Sequence, residues 1–141
     1  MLIAGVTLMV APSSTTYVAP PPTVLQVETI EIKQYVPTLE DVERINAKIE
    51  VLAAYYSVSP EIMKHIVYNE SRYNVNAVGD INFFCQTSQK YEASRGLVQI
   101  NSCFHPIKQD AYNEDFALDF LAKNLSEGRC HIWSTCPLKG G

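Results

Sequence analysis

Glu70 occupies a position where a carboxyl group could carry out acid–base chemistry. It follows Val67 by three residues and Met63 by seven, so a continuous helix would place all three side chains on one face. A carboxyl group on an apolar face is partly desolvated, which disfavours its charged form and raises its pKa. A general acid that donates a proton near neutral pH needs this property. The alternative is a helix-end Glu whose side chain bends into solvent.

The cysteines are the second set of residues with possible chemistry. The chain has four: Cys85, Cys103, Cys130 and Cys136. An even number in a short exported chain favours disulfides, and we expect Cys85 to pair with Cys103 and Cys130 with Cys136. The first bond would brace a polar insertion, and the second would close a short loop. The alternative is a zinc site that adds His105 to three of the cysteines (Cys103, Cys130, Cys136), although no C-x-x-C pair supports it.

Composition limits the class of protein that can present these groups. The chain has 141 residues, of which 47% are hydrophobic and 18% charged, enough for one ordinary core. Lys and Arg total 11 against 15 for Asp and Glu, giving a net charge of -4. Without a basic run, nucleic acid is not an expected partner. The longest apolar stretch, near the N-terminus, is shorter than the ~20 residues of a membrane-spanning helix.

The N-terminal part differs in composition from the rest. Residues 1–12 have the apolar length of a signal-peptide core but lack a preceding Lys or Arg, so we interpret them as a signal or anchor remnant. Residues 13–37 are rich in Pro, Thr and Val, a composition typical of an extended linker. Alternation in 24–32 leaves a short β-arm as an alternative. Residues 38–141 are then the folded domain.

Capping signals and apolar spacing predict three helices in this domain. Thr38 is suited to cap a helix over 38–56, in which apolar residues recur every three or four positions. Ser59 is placed to cap a second helix that starts with proline and runs over 60–70. A third apolar stripe predicts a helix over 113–126.

A polar segment separates the second and third helices. Residues 73–89 are mostly Asn, Gly, Asp, Ser and Thr around the short apolar run 81–85, which predicts a loop or a small β-hairpin. The expected fold is therefore mainly α: a small helical domain of α+β type with a short polar hairpin or loop insertion.

Two segments of the sequence match the motifs of a known protein family, in the same order along the chain. Glu70-Ser71-Arg72-Tyr73-Asn74-Val75-Asn76-Ala77 fits the pattern E-S-x-[FY]-[ND]-x-x-A, and 94–101 (S-R-G-L-V-Q-I-N) fits S-x-G-L-[MV]-Q-[IL]-N. Together they resemble the lytic transglycosylase (SLT) family, which has a lysozyme-like fold related to goose-type lysozymes. The resemblance covers 45–136, and the pair of motifs is specific where either alone is weak.

The resemblance implies a chemistry for Glu70. As the family's single catalytic acid, it would protonate the glycosidic oxygen between N-acetylmuramic acid and N-acetylglucosamine. As a carboxylate it would then deprotonate the sugar's own 6-hydroxyl, which leaves a 1,6-anhydro product. One carboxyl group can suffice because the substrate supplies the nucleophile. This chemistry uses no metal ion and no organic cofactor.

The groove residues follow from the resemblance and from residue type. Aromatic faces pack against the apolar faces of pyranose rings, and Tyr112 or Trp133 would also replace an orienting Tyr that the family carries in a later motif. The expected substrate-binding residues are Ser71, Ser94, Gly96, Gln99, Asn101, Tyr91, Tyr112 and Trp133.

Two other functions are open on the sequence. A lysozyme-type hydrolase would need a second carboxylate, for which Asp80, or less directly Glu92, is the candidate. A non-catalytic cell-wall binding module would need the groove without the acid. In each case we expect a monomer from a bacterium or a phage, secreted, periplasmic or attached to the cell envelope through its N-terminus. Its partner would be peptidoglycan glycan strands, with a secretion, conjugation or phage apparatus as a further possible assembly.

Overall fold

Three helices form at the segments predicted from the sequence. The structure, a computed structural model, describes residues 35–138, so the predictions for 1–12 and 13–34 lie outside the described residues. The helices are α1 (Leu39–Tyr56), α2 (Pro60–Ser71) and α3 (Glu114–Ser126). Their positions agree with the predicted ranges to within a residue at each end.

Each helix begins at a polar cap. The side chains of Thr38, Ser59 and Asn113 accept hydrogen bonds from backbone amides of the first turns of α1, α2 and α3. These bonds satisfy donors that have no partner within a helix. The first helical residue of α2 is Pro60, whose missing N–H costs nothing at that position. Local sequence therefore determines where the helices start.

The small sheet is antiparallel. It contains β1 (Val78–Cys85), β2 (Lys90–Arg95) and β3 (Ile100–Asn101) in that order. The first two strands form a hairpin: β1 lies within the predicted insertion 73–89, whereas β2 lies beyond its end. Residues 35–138 thus form a small α+β unit, in which 44% of the described residues are helical and 15% are in strands.

The hydrophobic core lies where the helices meet the segment between β2 and β3. Helix α1 packs against both α2 and α3. Every third or fourth residue of each helix faces inward, as the apolar spacing requires. The fully buried large side chains are Ile45, Ile49, Met63, Ile66, Val67, Cys85, Leu97, Val98, Leu118 and Leu121.

Both disulfides have the expected pairing. The Cα atoms of Cys85 and Cys103 are 5.6 Å apart, and those of Cys130 and Cys136 are 5.7 Å apart. Bonded sulfurs are not zinc ligands, and within residues 35–138 no group of three His, Cys, Asp or Glu side chains is arranged to hold a metal ion. Such bonds are typical of an oxidising compartment. In the same part of the chain, no helix has the length and apolar character needed to cross a membrane.

The backbone conformation at position 96 favours glycine. Gly96 opens the turn 96–99 between β2 and β3 with a φ of 73°, a conformation that favours glycine. A Cβ atom here would overlap the carbonyl oxygen of Ala111. Gly128 follows α3 with the same φ of 73°, but nothing lies within 4 Å of where its Cβ would be. A Cβ atom at position 128 would therefore meet backbone strain alone, whereas a Cβ atom at position 96 would meet both backbone strain and steric overlap.

Substituting each glycine by alanine tests this difference. We expect Gly128→Ala to lower the free energy of unfolding by about 1–2 kcal/mol, the cost of a left-handed conformation for a residue with a Cβ. Gly96→Ala adds the overlap with Ala111 and should cost about 1–3 kcal/mol more. Denaturant unfolding of both variants measures the difference. Equal losses would contradict the packing role assigned to Gly96.

Candidate active site

Glu70 lines a cavity that gathers residues from distant parts of the chain. The cavity has a volume of about 190 Å³ and lies between the end of α2, the sheet and the C-terminal loop. Both motif segments contribute to it. Its lining residues are Glu70, Asp80, Ser94, Val98, Gln99, Ile100, Asn101, Phe104, His105, Phe120, Ile132, Trp133 and Ser134.

Glu70 is a half-buried residue in the last turn of α2. Its Oε1 accepts a hydrogen bond of 2.5 Å from the Thr135 hydroxyl. Helix α2 ends directly afterwards, because Arg72 adopts a left-handed conformation with a φ of 54°. The neighbouring Ser71 is buried, and its hydroxyl donates to the Val67 carbonyl at 3.1 Å. Ser71 therefore bonds within its own helix and is not among the residues that line the cavity.

Polar side chains of the sheet form a chain of hydrogen bonds at one wall. Asn101 Nδ2 donates to Ser94 Oγ at 3.5 Å, and Ser94 Oγ donates to Asp80 Oδ2 at 2.7 Å. Ser94 pairs with Asn101 across β2 and β3, which places both on one face. Asn101 Oδ1 also accepts from the Cys103 amide at 2.9 Å. These contacts hold the buried Ser94 and Asn101 in fixed orientations.

Gln99 reaches the cavity from the turn 96–99. Its Nε2 donates to the Gly96 carbonyl at 3.0 Å, and its Oε1 lies so close to Gly79 that a Cβ there would overlap it. Gln99 has a φ of 51° and Asp80 a φ of 52°, values that are costly for residues with a side chain. Local strain of this kind persists only where surrounding contacts enforce it.

Several expected groove residues lie elsewhere. Gly96 is buried against the Ala111 backbone. Tyr91 is opposite Phe84 on the hairpin, with ring centroids 5.3 Å apart, and Tyr112 lines a different hollow beside β2 and β3. Neither tyrosine is among the residues that line the cavity with Glu70: Tyr91 lies in β2, and Tyr112 lies just before α3.

Trp133 lines the cavity but is mainly a core residue. Its side chain is buried, and its Nε1 donates to the Val98 carbonyl at 2.8 Å. One edge of the ring faces Phe120, with centroids 6.2 Å apart. Thr135 donates a hydrogen bond to Glu70, whereas the indole of Trp133 donates to Val98 and Tyr112 lines a different hollow.

Two residues at the site, Phe104 and Thr135, were not expected from the sequence. Phe104 is 63% exposed at the cavity, and its ring lies 5.1 Å from that of Phe83. The Cys85–Cys103 disulfide immediately before it holds this segment against the hairpin. Phe104 could have been found from its position next to a bonded cysteine. Thr135 lies 65 residues after Glu70, and no local pattern indicates their contact.

Two titratable groups near the cavity have shifted pKa values. Burial, reinforced by the charge of Arg129, lowers the pKa of His105 below its usual 6.5. Hydrogen bonds from the hydroxyls of Ser102 and Ser88 lower the pKa of Glu92. Glu92 is therefore a charged residue bound to the hairpin and its neighbouring segment, and it is not among the cavity-lining residues.

The arrangement can deliver a proton to a polar ligand held by amide and hydroxyl groups. Comparisons with protein-family models, curated proteins and solved structures found no match to this chain. Support for a function therefore comes mainly from the geometry of the cavity, together with the two sequence motifs. It brings Glu70 of the first motif together with Ser94, Gln99 and Asn101 of the second, as expected if these residues act on one ligand.

The pKa of His105 predicts a pH-dependent loss of stability. Because the folded state favours neutral His105, this residue makes its full contribution to stability above the unfolded pKa of about 6.5. That contribution is lost as the pH drops through the lowered folded pKa. We expect His105→Gln to weaken this acid-side decrease. Denaturant unfolding between neutral pH and pH 5 measures the slope, and the exposed His131→Gln is the matched control. Identical slopes for wild type and His105→Gln would contradict the assignment.

Proposed function

We propose that the protein is a peptidoglycan lytic transglycosylase. It cleaves the β-1,4 bond between N-acetylmuramic acid and N-acetylglucosamine and leaves a 1,6-anhydro product. The observation that carries this proposal is the cavity in which Glu70 lies with Ser94, Gln99 and Asn101. The sequence resemblance supplies the substrate class, and the cavity holds one acid beside several polar side chains.

Glu70 acts twice in the proposed reaction. The protonated carboxyl group donates its proton to the glycosidic oxygen as the bond from that oxygen to the anomeric carbon breaks. The resulting carboxylate then takes the proton of the muramic acid 6-hydroxyl, whose oxygen bonds to the same anomeric carbon. The proton returns to Glu70, and no water molecule is consumed. The half-buried position at the end of α2 suits a group that must be both protonated and accessible.

The other polar residues bind and orient the sugar. Amides and hydroxyls fixed by their own hydrogen bonds give directional contacts to hydroxyl and N-acetyl groups. Gln99, Ser94 and Asn101 are held in this way. The exposed ring of Phe104 offers an apolar surface at the same cavity, to which the apolar face of a pyranose can pack. Disulfides are consistent with action in the cell envelope or outside the cell.

Asp80 makes hydrolysis the second candidate. It is the other carboxyl group that lines the cavity with Glu70 within residues 35–138. A lysozyme-type hydrolase uses two carboxyl groups on either side of the scissile bond. Asp80, however, is exposed and already accepts a hydrogen bond from Ser94. We therefore place it second as a catalytic group.

Replacing the acid tests the proposal directly. Glu70→Gln keeps the size of the side chain but removes its transferable proton, so we expect the rate of glycan cleavage to fall by about 10²–10⁴-fold. Release of soluble fragments from purified peptidoglycan measures the rate. Glu61→Gln is the matched control, because Glu61 is exposed in the first turn of the same helix. Parental activity in Glu70→Gln would refute the role of Glu70.

Asp80→Asn distinguishes the two reactions. For a lytic transglycosylase we expect less than about a 10-fold loss of rate, with products that carry anhydro ends and are lighter by one water than hydrolysis products. Mass spectrometry of the released fragments checks both points. A loss as large as that of Glu70→Gln, with reducing ends, would establish hydrolysis instead. Glycan binding without release by the wild type would indicate a binding module.

A further inference from the structure

A disulfide-closed loop forms the C-terminal wall of the cavity. Residues 130–136 start with a short 3-10 helix, Cys130–Ile132, and the Cys130–Cys136 bond joins the two ends. Inside the loop, the Trp133 amide donates to the Cys130 carbonyl at 3.1 Å, and the Cys136 amide donates to the Trp133 carbonyl at 3.2 Å. The loop therefore has internal bonds in addition to its covalent closure.

The same loop is anchored to the core. Trp133 is buried, and its indole Nε1 donates to the Val98 carbonyl of the turn 96–99. Cys130 and Cys136 are also buried. Thr135 lies between the Trp133 anchor and the Cys136 crosslink, so its backbone is held on both sides.

We propose that Thr135 is a positioning residue for Glu70 and that the Cys130–Cys136 loop holds its hydroxyl in place. This inference rests on the proposed function of Glu70. Thr135 Oγ1 donates to Glu70 Oε1 at 2.5 Å, the contact that joins the loop to the acid. Thr135 does not reach the substrate in this role; it acts through the carboxyl group that does.

The need for a positioning group follows from the flexibility of glutamate. The terminal torsion of a Glu side chain has a broad energy minimum, so rotamer preference alone does not fix the carboxyl plane. A donor held on Oε1 fixes that plane and disfavours a proton on the same oxygen. The acidic proton is then directed to Oε2. Threonine suits this task because branching at Cβ restricts its χ1 rotation.

Three threonine variants test the positioning role. Thr135→Val keeps the branched shape without the hydroxyl, and we expect kcat to fall by about 10- to 100-fold while KM changes less than about twofold. Thr135→Ser keeps a donor and should recover most of kcat. Thr87→Val is the matched control, since Thr87 lies exposed in the hairpin turn. Steady-state cleavage of soluble glycan strands gives kcat and KM separately.

The outcomes separate this inference from the function on which it rests. If Glu70→Gln is inactive but Thr135→Val keeps parental kcat, Thr135 has no positioning role and the proposed function stands. A serine variant as impaired as the valine variant would also overturn the role, because a hydroxyl would then not be sufficient. If wild type and Glu70→Gln cleave equally, the proposed function itself fails.

The crosslink is tested by a double-mutant cycle. Cys130→Ser/Cys136→Ser should lower kcat in the same range as Thr135→Val, because the loop no longer fixes the hydroxyl. A variant that carries the two cysteine substitutions together with Thr135→Val should then have a kcat little lower than that of either parent variant, as expected for groups that act through one contact. Circular dichroism selects a temperature at which the variants are folded. Fully additive losses, or an unchanged kcat in the cysteine variant, would show that the crosslink does not hold Thr135. If the cysteine variant does not fold, the three threonine variants test the positioning role by themselves.

Discussion

The burial of the turn 96–99 constrains the rest of the structure. Leu97 and Val98 are almost completely buried although this segment belongs to neither a helix nor a strand. Backbone groups removed from water need hydrogen-bond partners. The Gly96 amide donates to the Ala77 carbonyl, and the Gly96 carbonyl accepts from the Gln99 amide and from its Nε2. Because these partners come from the turn itself and from the segment before β1, the surrounding elements must keep their positions.

The cavity follows from this packing. The turn carries Gln99, and the strands on either side of it carry Ser94 and Asn101. The Val98 carbonyl binds the indole of Trp133, which brings the C-terminal loop to the same side. A buried polar group without a partner would cost about 1–3 kcal/mol, so the core stabilises one arrangement of these segments. The polar groups around Glu70 are therefore fixed by interactions that also stabilise the fold.

Local signals in the sequence account for much of this fold. Caps and apolar spacing predicted the three helices, since both act within a few residues. The polar insertion predicted a loop or small hairpin but not its register, in which Tyr91 pairs with Phe84. Tyr112 was likewise expected in the groove from its residue type and not from any contact. The hydrogen bond from Thr135 depends on packing between segments 65 residues apart, for which the sequence contains no periodic signal.

Of the six non-glycine residues with a positive φ within residues 35–138, two line the cavity and two follow Glu70 closely in the chain. Arg72 and Tyr73 follow Glu70 closely with φ values of 54° and 63°, and Asp80 and Gln99 line the cavity with values of 52° and 51°. Each such residue costs of order 1–3 kcal/mol, and specific bonds oppose that cost: Tyr73 donates its hydroxyl to Asn46, Asp80 accepts from Ser94, and Gln99 donates to the Gly96 carbonyl. The reversal at Arg72 ends α2 just after Glu70, which keeps the acid at the open end of the helix. Strain at these positions is thus coupled to the placement of the polar groups, because an unstrained backbone would direct them elsewhere.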